Sequence, residues 1–278
     1  MGKECSNTGC SRESCEGCPS AGHAPTDFRA PANPHSRIKH VIGIVSGKGG
    51  VGKSSVTAMT AIALNREGYR VGILDADITG PSIPKMFGVT QAEGVTREEF
   101  MLPAQTQTGI KIMSVNLLLE SEETPVIWRG PVIAGVVKQF WSDVVWGELD
   151  YLLVDMPPGT GDVPLTVFQS LPVDGVLLVT TPQRLVEMVV TKAWHMCREM
   201  NIPVLGLVEN LSYVSCPECG KKIPVFGEKN FEAWSAKTGV PLCAELPIDP
   251  ELADFADTGR MEEYICAGLE DVIARMPL

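Results

Sequence analysis

Apolar residues follow two rhythms along this chain. From Ile38 onward, short unbroken apolar runs alternate with longer stretches in which apolar residues recur every three or four positions. The runs HVIGIVS (40–46), YRVGILDAD (69–77), YLLVD (151–155), GVLLVT (175–180) and VLGLVE (204–209) show no regular polar alternation. Strands of that composition are buried on both faces, as in a parallel sheet covered by helices. Between the first two, SSVTAMTAIALNREG (54–68) sets Val56, Met59, Ile62 and Ala63 at helical spacing, and Gly68 is a stop signal. GPVIAGVVKQFWSDVVW puts Pro131 at a first-turn position, then carries Ile133, Val136, Val137, Phe140, Trp141, Val144 and Val145 as one apolar face. RLVEMVVTKAWHMCREM predicts a crossover helix between the strands at 175–180 and 204–209. This order predicts a doubly wound α/β domain: a mostly parallel sheet, helices on both faces, and a ligand site at the carboxyl ends of the strands.

Residues 1–36 break the pattern. They hold Cys5, Cys10, Cys15 and Cys18, several prolines and almost no aliphatic residues. We read them as a Cys-rich arm and tether, and 37–278 as the α/β domain with a CxxC insert at 216–219. An arm of this composition cannot bury a core, so it either lacks fixed structure or folds around a metal.

Composition narrows the function. At 278 residues and 44% hydrophobic content the chain supports a sizeable core. Its net charge of −11 is spread along the sequence. That argues against nucleic acid and anionic lipid as partners, since both demand a basic footprint. No apolar run approaches the ~20 residues of a membrane span, and the start lacks an apolar secretory core. Gly2 and Ser6 match a loose myristoylation pattern. Nine cysteines in a chain without an export signal point to the cytoplasm and to metal binding rather than disulfides.

The sharpest motif is SGKGGVGKSS (46–55). Gly47, Gly52, Lys53 and Ser54 spell G-x-x-x-x-G-K-S after a predicted strand and before a predicted helix. In that context the backbone amides of Gly47, Lys48, Gly49, Gly50, Val51, Gly52, Lys53, Ser54 and Ser55 wrap a polyphosphate, and the helix N-terminus adds positive dipole. Lys53 reaches the terminal phosphates of ATP and the Ser54 hydroxyl ligates magnesium. Lys48 is a second lysine in the same loop. Either it is a solvated surface cation, or it reaches a nucleotide in a facing subunit and steadies charge on the transferring phosphoryl group. Asp77, after the second strand, is placed to orient or deprotonate the attacking water, with Asp75 beside it. Asp155 ends YLLVD and is placed to hold magnesium. Gly159 and Gly161 give the loop after it freedom to move.

Cys216 and Cys219 form a C-x-x-C knuckle, which supplies two ligands where a tetrahedral site takes four. The pair meets its copy across a dimer axis, joins Cys15 and Cys18, or works as a redox dithiol. Thiolates suit zinc and iron–sulfur clusters alike. Cys5, Cys10, Cys15 and Cys18 are numerous enough to close around a second cluster or a zinc. Cys197, Cys243 and Cys266 are isolated in apolar settings and read as packed core residues.

The loop GKGGVGKS resembles the deviant phosphate loop of MinD, ParA and nitrogenase iron proteins, whose signature lysine acts across a dimer. Together with DADITGPSIP, IWRGP, VDMPPGTGD, LVENLSY and CPECG, it makes the chain similar to the Mrp/ApbC family over roughly residues 38–260. The resemblance implies a P-loop ATPase that carries a 4Fe–4S cluster between two subunits on Cys216 and Cys219 and hands it to apo iron–sulfur proteins. It also implies that Asn210 contacts the adenine base, with Pro247 beside it. Two other functions stay open at this level. One is a MinD/ParA-like positioning switch with a structural zinc knuckle. The other is an ATP-gated electron donor.

Overall fold

The computed structural model describes residues 29–78, 80–89, 96–97, 100–119, 130–226 and 231–278. In chain order its elements are β1 (Arg37–Ser46), α1 (Lys53–Arg66), β2 (Val71–Asp75), α2 (Ile83–Met86), β3 (Thr96–Arg97), β4 (Phe100–Met101), β5 (Ala104–Gln105) and β6 (Lys111–Met113). There follow α3 (Gly130–Ser142), β7 (Glu148–Asp155), α4 (Asp162–Ser170), β8 (Gly175–Thr180), α5 (Arg184–Glu199) and β9 (Val204–Ser215). The chain closes with β10 (Lys222–Ile223), α6 (Phe231–Thr238), β11 (Leu242–Pro247), α7 (Pro250–Asp257) and α8 (Glu270–Ile273).

Among the described residues, nine strands form one sheet in the order β10-β9-β8-β1-β7-β2-β6-β5, with β11 alongside β9. Strands β1, β2, β6, β7, β8, β9 and β11 are parallel to their neighbours, and only the edge strands β5 and β10 run antiparallel. This is the predicted doubly wound α/β arrangement. Strands β2 and β8 are buried along their length, and β1 and β7 over their carboxyl-terminal parts, because helices cover both faces. Val41 and Val45 of β1 face a core built with Phe140 and Trp141 of α3, Phe168 of α4 and Val190 of α5. Ile42 and Ile44 point the other way, against Val56 and Met59 of α1, Leu246 of β11 and Val272 of α8. The period-2 geometry of a strand thus splits one apolar run between two cores.

Four boundaries depart from the pattern, the first three for a local reason. Helix α1 begins at Lys53, inside the phosphate motif, because Gly52 takes a left-handed conformation (φ 74°, ψ 30°) that turns the loop into the helix. Strand β2 is shorter than 69–77: the amide of Arg70 donates to the Asp150 carboxylate, and that of Ala76 to the carbonyl of Asp155. Helix α3 stops at Ser142, so Val144 and Val145 leave the helical face. The Val145 amide instead donates to the Met101 carbonyl, and Trp146 is buried with its indole N–H on the carbonyl of Phe140. Strand β9 runs to Ser215, well past Glu209.

Residues 29–36 lie on the domain. The Ala30 amide donates to the Ser170 carbonyl, the Trp141 indole donates to the carbonyl of Ala30, and Asn33 is buried. Cys5, Cys10, Cys15 and Cys18 lie outside the described residues, as do Trp128 and Arg129 of the IWRGP motif.

Candidate functional site

The phosphate loop hangs from the carboxyl end of β1, with β7 on one side and β8 on the other. Two glycines adopt left-handed conformations in it, Gly50 at φ 77° and Gly52 at φ 74°. Gly52 occupies the N-cap of α1 and supplies no side-chain cap, so the first-turn amides of the helix are left to a ligand. Two close approaches make the loop specific to glycine. A Cβ on Gly52 would stand 2.2 Å from Asn210 Nδ2, and one on Gly47 would stand 2.6 Å from the Val189 carbonyl oxygen of α5.

Parallel pairing brings the acidic groups to this loop. Asp75 and Asp155 are register partners at the ends of β2 and β7. Asp155 is fully buried and accepts three hydrogen bonds: Lys53 Nζ at 2.7 Å, Ser54 Oγ at 2.6 Å and Thr57 Oγ1 at 2.8 Å. Asp77 is half-buried, with its carboxylate 3.7 Å from Lys53 Nζ. Asp75 sits deeper. Burial first, and the Asp155 charge second, push its carboxyl up to about 8. It accepts from the Asp77 amide and from Ser114 Oγ, both at 3.2 Å. Of the two aspartates at the carboxyl end of β2, Asp77 is the more exposed and Asp75 supports the turn. The loop after β7 lies against the phosphate loop. The Gly159 amide donates to the Ser46 carbonyl, and Pro158 packs 3.9 Å from where a Cβ on Gly49 would be.

Lys48 does not project freely into solvent. Its ammonium donates to Gln183 Oε1 at 2.7 Å, within the same chain. Asn210 is not at a strand end but inside β9. Its Nδ2 donates to the Val51 carbonyl at 3.0 Å, while its buried Oδ1 has no hydrogen-bond partner. Leu211, next in sequence, has φ 54°, a left-handed joint inside the strand, and Asn210 and Ser212 on either side of it are both buried. Pro247 ends β11 and pairs in register with Tyr213. Gly47, Gly49, Gly50, Val51 and Ser55 all fall on the loop or the first turn of α1.

The knuckle stands apart from this cluster, beyond the end of β9. The Cys216 amide donates to the Lys221 carbonyl and the Gly220 amide to the Cys216 carbonyl, closing a tight turn into β10. Cys216 is half-buried and Cys219 exposed, both as free thiols. The backbone amide of Cys219, then that of Glu218, hold the Cys216 thiol below its ordinary range. No group of three or more His, Cys, Asp or Glu among the described residues could hold a metal, and Cys216 and Cys219 stand there as a pair of thiols. Ile223, Val225 and Phe226 beside it are exposed by 48%, 51% and 39%. Of the cysteines assigned to the core, Cys197 and Cys243 are buried. Cys266 is half-buried and lines the groove between α1 and α8.

Three features escaped the sequence reading. Thr57 lies one turn after Lys53, so helical spacing signals it as a partner of the same carboxylate. Gln183 follows a buried strand as an unremarkable N-cap residue, and nothing local marks it as a partner of Lys48. The left-handed Leu211 has no sequence signal, being neither glycine nor asparagine.

A glycine loop at the carboxyl end of a central parallel strand, with lysine and hydroxyl on the following helix and a buried carboxylate on the adjacent strand, defines a P-loop NTPase. The chain belongs to the family described as "ParA: NUBPL iron-transfer P-loop NTPase", matched over residues 37–272. Among its relatives, the iron-sulfur cluster carrier protein of Clostridium perfringens is 48% identical over 240 residues, covering 83% of this chain and 84% of that protein. The iron-sulfur cluster carrier protein of Methanocaldococcus jannaschii is 46% identical over 253 residues, covering 88% and 87%. A nucleotide-binding protein from Archaeoglobus fulgidus, solved in complex with ADP, superposes with a TM-score of 0.75 at 44% identity, covering 84% and 91%. The Pyrococcus furiosus cell division ATPase MinD shares the fold at 23% identity, with a TM-score of 0.55 over 80% of this chain and 89% of that one.

Proposed function

We propose that the chain is an ATP-hydrolysing carrier that holds a 4Fe–4S cluster between two copies of itself, on Cys216 and Cys219 of each, and delivers it to apo iron–sulfur proteins. The observation that carries this reading is the incomplete thiol site. Two thiols, one of them held toward thiolate, stand on an exposed turn next to three exposed apolar side chains. A second copy supplies the other two ligands and covers the apolar residues. All five described cysteines are free, which fits a reducing compartment such as the cytoplasm. The names of the relatives support the same cargo.

The phosphate site fits magnesium and ATP. Ser54 and Asp155 present hard oxygen donors 2.6 Å apart, and the uncapped amides of α1 face the loop. Magnesium, when bound, supplies positive charge at the β- and γ-phosphate oxygens. Lys53 holds the terminal phosphates, and Asp77 orients the attacking water. As the water oxygen bonds to the γ-phosphorus, the bond to the β–γ bridging oxygen breaks and ADP keeps the electron pair. The water's proton passes to Asp77 or to phosphate. Lys48 of the facing copy steadies the charge on the transferring group. The buried Asn210 Oδ1 is an acceptor suited to the amino group of adenine, with Pro247 nearby on β11. The arm carrying Cys5, Cys10, Cys15 and Cys18 offers enough thiols for a second cluster, and 37–278 forms the NTPase domain.

Anaerobic purification followed by iron and sulfide analysis tests the cargo. We expect Cys216→Ala and Cys219→Ala each to lose about four irons per two chains relative to wild type, any iron held by the arm remaining, with a dimer in the loaded wild type. Zinc at half an equivalent per chain, without sulfide, overturns the carrier reading in favour of a nucleotide switch with a structural knuckle.

A further inference from the structure

We infer that Gln183 is a positioning residue for Lys48: it holds the lysine within its own chain and must release it before the lysine can serve a facing copy. The inference rests on the reading that Lys48 acts in trans. Three observations carry it. The Lys48 ammonium donates to Gln183 Oε1 at 2.7 Å in a half-buried setting. Gln183 occupies the N-cap of α5 yet makes no capping bond with its side chain, so its amide is committed to Lys48 and not to its helix. Helix α5 is also seated directly on the phosphate loop: a Cβ on Gly47 would meet the Val189 carbonyl oxygen at 2.6 Å. The residue before Lys48 and the first turns of α5 therefore hold a fixed relation, and the lysine side chain is the part free to swing.

A charge-assisted hydrogen bond at this site makes the released lysine a minority state, and the apparent rate of any step using it falls by the released fraction. A neutral acceptor suits such a latch. Glutamine orients the ammonium without the stronger grip that a carboxylate gives.

The test measures steady-state ATP turnover of the full-length chain, wild type, Gln183→Ala, Gln183→Glu, Lys48→Ala and the Lys48→Ala/Gln183→Ala double variant. Each is first checked for an unchanged melting temperature without nucleotide. Removing the latch should raise kcat by about ten- to a hundredfold with KM for ATP unchanged, as expected from the loss of one charge-assisted bond. Gln183→Glu should lower kcat, and added salt should recover part of the loss, because an ion pair is screened where an amide bond is not. In the Lys48→Ala background, Gln183→Ala should change nothing. If Lys48→Ala itself leaves turnover and ATP-dependent dimerisation intact, the trans reading fails. If Lys48→Ala is inactive but Gln183→Ala turns over at or below the wild-type rate, the latch alone is overturned. A Gln183→Ala gain that persists without Lys48 overturns it as well. Should Gln183→Ala melt early, Gln183→Met, which fills the space without an acceptor, replaces it under the same criteria.

Discussion

Asp155 is where stability and nucleotide chemistry meet, and its replacement by alanine separates the two. The substitution removes three hydrogen bonds at once and strips the Lys53 ammonium, whose side chain is 5% exposed, of its 2.7 Å counter-ion. Leaving one partner of a buried pair uncompensated costs about 3–5 kcal/mol. Two effects reduce that. Asp77 remains 3.7 Å from Lys53 Nζ and takes over part of the charge, and the repulsion that Asp155 exerts on buried Asp75 disappears. We expect a net loss at the lower end, about 2–3 kcal/mol, which in a domain of this size is a fall of about 4–12 °C in Tm. The assay is thermal unfolding of the nucleotide-free chain, repeated with ATP plus magnesium and with ATP plus a chelator. Wild type should gain more from ATP with magnesium than from ATP alone, and Asp155→Ala should gain equally from both. A variant that melts with wild type and keeps the magnesium-dependent gain would show that Asp155 neither anchors Lys53 nor holds the metal.

Gly52→Ala should destabilise the nucleotide-free protein by about 1–2 kcal/mol from its left-handed backbone alone, with a further loss from displacing Asn210; adding Asn210→Ala should recover only the second part, seen as non-additive urea midpoints. Iodoacetamide should alkylate Cys216 well before Cys197, whose thiol burial raises to about 12. The Cys216 rate should rise with pH and level off below the ordinary thiol range, because its bonded thiolate forms early; equal rates at the two sites would contradict the knuckle geometry. Asp150 accepts from the Arg70 guanidinium, from Lys39 and from the Arg70 amide, which hold its carboxyl below the usual range. Its contribution is therefore complete above the ordinary carboxylate pKa and disappears as pH falls through the depressed value. Asp150→Asn should cost about 1 kcal/mol at pH 7 and progressively less in acid, as chemical denaturation at a series of pH values will report.

How much of this was legible beforehand depended on whether the signal was local. The parallel strands announced themselves because apolar runs buried on both faces carry no alternation, and the phosphate loop because its glycines, lysine and serine are contiguous. The position of Asp155 at the end of β7 was legible because a strand end is a local feature. What pairing brings together was not legible. Lys48 and Gln183 are distant in sequence and meet only because β1 and β8 are neighbours. The same pairing logic buries Asp75 against Asp155 and leaves Asp77 half open, which residue spacing alone left undecided. The end of α3 was misread because Val144 and Val145 continue a helical apolar rhythm, yet their neighbours across the sheet edge offer them better hydrogen bonds and packing.

Strand β9 links the phosphate loop to the knuckle. Asn210, whose side chain touches the phosphate loop, and Cys216, the first thiol of the knuckle, are joined by the end of β9, a stretch of at most about 20 Å. No slack loop lies between them, and the one left-handed joint is Leu211. Pairing with β11 and β10 ties this stretch into the sheet, so a base held at Asn210, as proposed, would be coupled to the sulfurs through hydrogen-bonded strand, with Leu211 as the joint that sets how much of the motion passes.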